Sequence, residues 1–249
     1  VTVLLCLSGA GGVVLEHLDK QRSTVTAFFP VGKETDAVLA RLEEFWSTLS
    51  QLDLESEAKV STRIVLERDW EEEWKQHYHP VSVGNVYITP SWLPHQPQPG
   101  QVIIELDPGM AFGTGTHPTT QMCIAAISQF LKGGSTVLDL GTGSGILAIA
   151  AAKLGAASVD AVDYDGIAVG VAGENARSND CVINIRQGDA FAALTHSNHQ
   201  LVVANIGYNA CAKLVGIFCG NKKDGTLIVS GFPQERVAEF LDATGVVPI

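Results

Sequence analysis

Nine residues limit most strongly what this chain can fold into: Val137-Leu138-Asp139-Leu140-Gly141-Thr142-Gly143-Ser144-Gly145. An apolar run of strand length enters three closely spaced glycines, and an apolar helical stretch follows over residues 144–154. Glycines in such a turn take positive φ and let a ligand approach the backbone. The helix start adds amide donors with no partner inside the helix. The spacing is GxGxG, because Ile146 stands where a dinucleotide binder has its third glycine. A nicotinamide-dependent dehydrogenase is therefore disfavoured, and a bare structural turn is the plain alternative.

The pattern around this unit extends it. From Pro118 onward strands and helices alternate: a helix over 119–131, strands over 136–140, 158–162, 181–186, 201–204 and 226–230, and helices over 144–154, 166–178 and near 211–219. Alternation at this spacing predicts a parallel sheet covered on both faces, a doubly wound α/β domain. Residues 1–67 read differently. Apolar or β-branched runs at 1–7, 23–29 and 59–67 predict strands, and 9–20 and 35–49 predict helices. That order suggests a small α+β domain of the ferredoxin-like, split-βαβ type. Between the two, Pro80, Pro90, Pro94, Pro97 and Pro99 crowd one segment. Prolines at that density block regular structure, so residues 68–106 read as a linker and connecting segment, ending in a strand over 101–106. The expected division is 1–67, 68–106 and 107–249.

Composition narrows the function. Net charge is −11, from 16 basic and 27 acidic residues, and neither half carries a basic run. A sequence-independent grip on nucleic acid needs Lys and Arg to replace counterions, so direct nucleic-acid binding is not expected. No uncharged apolar run reaches the ~18 residues a membrane span needs, and no signal peptide is apparent. Five cysteines without CxxC spacing suit reduced thiols in a cytoplasmic protein. The pairs His77/His79 and His196/His199 lack ligand partners at familiar spacing, so no metal site is expected.

Several side chains stand where strands should end. Asp163 closes the second strand, where an acid can take both hydroxyls of a ribose. Asp165 reads as the cap of the next helix. Asp189, after the third strand, reads equally as a partner for the exocyclic amine of an adenine or as a turn residue. Asn205 closes the fourth strand; its carboxamide oxygen either accepts a hydrogen bond from an amine nucleophile and aims the lone pair, or caps the following helix.

Together these features resemble a class I methyltransferase that uses S-adenosylmethionine. The segment Asp107-Pro108-Gly109-Met110-Ala111-Phe112-Gly113-Thr114-Gly115-Thr116-His117-Pro118-Thr119-Thr120 resembles the signature of the ribosomal protein L11 methyltransferase family. Asp69-Trp70-Glu71-Glu72-Glu73-Trp74, with His79-Pro80 and Pro90-Ser91-Trp92, is similar to that family's linker. The resemblance implies trimethylation of amino groups, lysine ε-amines and/or the N-terminal α-amine, on one large-subunit ribosomal protein. It implies a Rossmann-like catalytic domain behind a small recognition domain. It places cofactor contacts on Thr120, Gly141, Asp163 and Asn205, to which the glycine turn adds Gly143 and the third strand end Asp189. Phe112 would lie over cofactor and substrate, and Phe112, Trp92 and Tyr208 would wall the acceptor amine. His117, directly before Pro118, is expected to be structural.

The chain departs from the family pattern at Thr142, where cysteine is usual, and at Gly207-Tyr208-Asn209, where leucine usually follows Asn205-Ile206. The resemblance also implies a chain that starts inside a first strand and stops before a final strand pair, hence a fragment with an open sheet edge. The alternatives are a class I methyltransferase for another protein or a small molecule, and a truncated cofactor-binding module without turnover.

Overall fold

A computed structural model of the chain describes residues 12–17, 23–29, 38, 40–41, 61–62, 79–107, 113, 115–221 and 225–246. The chain divides into two compact units, Val1–His77 and Tyr78–Ile249.

In the first unit, β1 (Gly12–His17) pairs antiparallel with β2 (Ser23–Phe28), with Val13 opposite Ala27 and Leu15 opposite Val25. The helix expected over 9–20 is thus corrected to a strand. Gly9, Gly11 and Gly12 are poor helix formers, and Val13-Val14 is β-branched, so both ends of the comparison favour extended backbone. Val38, Ala40 and Arg41 are helical, inside the helix expected over 35–49, and Ser61-Thr62 have no regular structure where a strand was expected. The strand expected over 1–7 and most of 35–49 and 59–67 lie outside the described residues.

The second unit begins with a small sheet. β3 (Val81–Val83) and β4 (Val86–Thr89) form an antiparallel hairpin, and β5 (Val102–Glu105) joins β4 in parallel. Gly84, at φ +58°, takes the first central position of the two-residue turn. β5 lies within the strand expected over 101–106, whereas β3 and β4 form where the proline-rich stretch was expected to block regular structure. Pro80 precedes β3, Pro90 follows β4, and the other prolines fall in the crossover to β5. Proline at strand boundaries removes no ladder hydrogen bond. Val86, Ile88, Ile104 and Leu106 are buried in one cluster with Cys123, Ile124 and Ile127 of α1 (Pro118–Phe130). Asn179 adds a polar tie: its Oδ1 accepts from Glu105 N at 2.8 Å and its Nδ2 donates to Glu105 O at 2.6 Å.

The main sheet holds five parallel strands: β6 (Thr136–Leu140), β7 (Ser158–Asp163), β8 (Asn184–Gln187), β9 (Leu201–Asn205) and β10 (Thr226–Ser230), in the order β10-β9-β6-β7-β8. Alternate residues bury on opposite faces. Val137, Leu201 and Val203 pack with α1 and with α2 (Ile146–Lys153). Leu138, Leu140, Val202 and Ala204 pack with Ala193 and Leu194 of α4 (Ala190–Thr195) and Leu214 of α5 (Tyr208–Asn221). Each buried Leu or Ile contributes about 1.5–3 kcal/mol by leaving water. α3 (Gly166–Ser178) follows β7, and its Ala172 meets Gly145 at the start of α2. A short 3₁₀ turn, Gln234–Arg236, leads into α6 (Val237–Thr244), whose Phe240 is buried. Helices α4 and α6 were not expected from the sequence.

Strand order reverses between β6 and β9. β7 and β8 extend to one side and β9 and β10 to the other. Loops leaving the strand ends there diverge and leave a crevice, the usual ligand position in open α/β sheets.

Candidate active site

A cleft of about 490 Å³ opens at that crevice, lined by Gly113, Thr120, Gly141, Gly143, Asp163, Asp189, Asn205 and Ile206 among others. Segments far apart in the chain thus meet at one place.

The glycine turn forms its floor. Gly141, Gly143 and Gly145 take φ of +74°, +54° and +84°. A Cβ on Gly141 would stand 2.5 Å from Ile206 Cγ2, so a side chain there would have to displace Ile206 and would be strained at this φ. Gly141 N and Thr142 N both donate to Val162 O, which draws the turn against β7. Asp163, the last residue of β7, accepts from Gly143 N at 2.8 Å on Oδ2 and from Asp165 N at 3.0 Å on Oδ1. Each carboxylate oxygen keeps a further lone pair for a ligand hydroxyl. Asp165 caps α3 by accepting from Ile167 N at 2.9 Å. Asp189 caps α4, accepting from Ala192 N at 2.7 Å, and it also lines the cleft.

Beneath the turn lies Asp139, fully buried. Its Oδ2 accepts from the Thr142 hydroxyl at 2.7 Å. Burial pushes its carboxyl up to about 7, opposed by the Thr142 hydroxyl and the Ala148 amide, while the charge of Asp163 pushes it higher. Its Oδ1 has no partner at hydrogen-bond geometry.

Opposite the turn, Asn205 ends β9. Its Nδ2 donates to the hydroxyl of the fully buried Thr120 at 3.2 Å. Its Oδ1 is buried without a protein partner. An orphaned buried acceptor costs about 1–3 kcal/mol, and at the wall of a cleft it fits a donor brought by a ligand.

The loop before α1 closes one side. Gly113 sits at φ +104°, and its carbonyl accepts from the buried Ser144 hydroxyl at 2.6 Å. A Cβ at Gly115 would stand 2.9 Å from Ile88 Cδ1, so the loop presses on the small sheet. His117 is the N-cap of α1: Nδ1 accepts from Thr119 N at 3.3 Å.

Of the aromatic walls expected, Phe112 lies outside the described residues. Trp92 and Tyr208 do not line the cleft. Tyr208 packs edge-on against Phe232 and Phe240, with the Arg236 guanidinium 3.6 Å above its ring. Two exposed-side residues that the sequence reading passed over, Tyr164 and Phe191, do line it. Both directly follow the strand-end acids and their neighbours, Asp163 and Asp189-Ala190, which was the signal available. Lys213 Nζ lies 3.8 Å above the Phe191 ring. No group of three potential metal ligands occurs among the described residues.

Glycines at positive φ and an acid at the second strand end with lone pairs to spare fit the ribose of a nucleoside, and the orphaned carboxamide oxygen at the fourth strand end fits an N–H donor. Fold and site together define a class I methyltransferase domain, with S-adenosylmethionine as methyl donor. Residues 12–245 match the family model described as ribosomal protein L11 methyltransferase (PrmA). The ribosomal protein L11 methyltransferase of Caldicellulosiruptor saccharolyticus is 38% identical over 252 residues, covering 94% of this chain and 83% of that protein. That of Bacillus cytotoxicus is 37% identical, covering 98% and 88%. The crystal structure of the ribosomal protein L11 methylase from Lactobacillus delbrueckii subsp. bulgaricus is 36% identical with a TM-score of 0.60, covering 68% of this chain and 88% of that one. The chain belongs to the ribosomal protein L11 methyltransferase family, and it is an S-adenosylmethionine-dependent protein methyltransferase.

Proposed function

We propose that this chain methylates amines of ribosomal protein L11, lysine ε-amines, the N-terminal α-amine or both, in the cytoplasm. The family and the names of its relatives support the protein substrate. The observation that carries the amine chemistry is the buried, unpartnered Asn205 Oδ1 at the wall of the cleft.

When bound, S-adenosylmethionine supplies a methyl group already activated by the positive sulfonium, so the protein's task is positioning. In this reading Gly141 and Gly143 admit the donor to the backbone, Asp163 takes its ribose hydroxyls, and Asp189 borders its base. Thr120 holds the Asn205 carboxamide. Asn205 Oδ1 accepts an N–H of the acceptor amine, which turns the nitrogen lone pair away from Asn205. The amine must be neutral, yet a lysine starts near pKa 10.4. Apolar surroundings lower that value by desolvation. Phe112 and Phe191 are assigned this part together with exclusion of water; Tyr208 serves instead as packing beside the Asn205 loop. Residues 1–67 are assigned to substrate recognition.

Methyl transfer to purified L11, with sites read by mass spectrometry, tests the reading. Asn205→Ala is expected to lower kcat by about 10²-fold, as loss of an orienting group does, with a smaller change in donor affinity. Unchanged kcat removes Asn205 from the chemistry. Methylation of side chains other than amines removes the substrate assignment.

A further inference from the structure

Ile206 follows Asn205 directly, and the fold grips it from two sides. On the cleft side, Gly141 leaves space for Ile206 Cγ2 that a Cβ would occupy. Behind it, Gly231 sits at φ +101°, where a Cβ would stand 2.4 Å from Ile206 O and 2.8 Å from Ile206 N. These are backbone atoms, which cannot rotate aside as a side chain can. Ile206 N donates to Ser230 O at 3.0 Å. The buried Cys211 thiol lies 3.2 Å from Ile206 O and 3.3 Å from Ser230 O, so one S–H is shared between the ends of two strands. Burial raises the Cys211 pKa, which keeps that hydrogen in place. Neither Gly231 nor Cys211 lines the cleft.

We propose that Gly231 and Cys211 are positioning residues for methyl transfer, acting through Ile206 to set the depth and angle of the Asn205 edge against the glycine turn. The proposal rests on the reading of Asn205 as the amine's acceptor. The physical case is one of distance. A methyl group at Gly231 pushes the Ile206 backbone by up to about 1 Å to reach ordinary contact, and a shift of that size in a reacting geometry costs about 10²-fold in rate. In the proposed reading the nucleoside end of the donor is assigned elsewhere, to Asp163 and the side-chain-free surface of the glycine turn, whose Gly141, Thr142 and Gly143 amides already donate to Val162 O and Asp163.

The test measures kcat for L11 methylation and, by titration calorimetry, donor affinity, for the full chain and four variants. Gly231→Ala is expected to lower kcat about 10- to 100-fold while donor Kd changes less than about threefold. Cys211→Ala removes the shared hydrogen and is expected to lower kcat several-fold. Cys211→Ser keeps a donor and is expected to restore most of it. Asn205→Ala is the reference. If it leaves kcat intact, the reading of Asn205 falls. If it lowers kcat while Gly231→Ala and Cys211→Ala do not, the present inference falls alone. A kcat loss matched by an equal loss of donor affinity also overturns it, since that marks general damage. Should Gly231→Ala not fold, the Cys211 pair decides: equal kcat for Ala and Ser is the overturning result.

Discussion

Asp139 titrates far from the ordinary carboxylate range. It is fully buried, and its pKa stands near 7, against 3.8 for a free aspartate. Between those values the folded protein holds a proton that the unfolded chain releases. Stability from this group is therefore full below about pH 4 and is lost as pH rises to about 7. Asp139→Asn removes the dependence. The melting temperature of the variant minus that of the parent is expected to climb from about pH 4.5 to 7.5, and a flat difference would refute the assignment. Identity and sequence position located other side chains well. Asp165 as a helix cap follows from its place after a strand end. Tyr208 does not yield to such reasoning: its neighbours Phe232, Arg236 and Phe240 lie far along the chain, and a linear pattern carries no sign of which face a tyrosine turns to them.

Elements form where local preferences agree. α1 starts at His117 with Pro118 at its first position, a site that tolerates proline because that N–H has no helical partner. Thr120, in the first turn behind this cap, lines the cleft. His117→Ala is expected to cost about 1 kcal/mol of stability, and His117→Asn, a good cap, to recover most of it in denaturant titrations. No loss in the alanine variant would mean that proline and tertiary contacts alone define the start. The strands Thr136–Leu140 and Thr226–Ser230 and the helix Gly166–Ser178 match the sequence reading to the residue, because apolar periodicity and flanking glycine or aspartate coincide there. α4 escaped notice because six residues give less than two turns of periodicity. β3 and β4 escaped because proline was read as a breaker when here it marks strand ends.

At the scale of the molecule, the two compact units predict a division of labour. A chain cut to residues 78–249 is expected to keep donor affinity within about threefold and to lose methylation of intact L11. Retained methylation at unchanged sites would give substrate recognition to the catalytic unit instead. The amino-acid sequence by itself determined the strand–glycine–helix unit, the alternation that dictates a parallel sheet, and the acids and the asparagine at strand ends. These follow from short-range rules: side-chain period, glycine freedom and the donors at helix starts. Only the tertiary structure decided that Gly113 and Ile206 join the cleft beside Thr120, Gly141, Asp163 and Asn205, that Asn205 Oδ1 is left without a partner, and that Ile206 is held between Gly141 and Gly231. The reason is physical. Strand order, and the close approach of backbones from distant segments, are settled by packing both faces of the sheet at once, and no window of neighbouring residues contains that information.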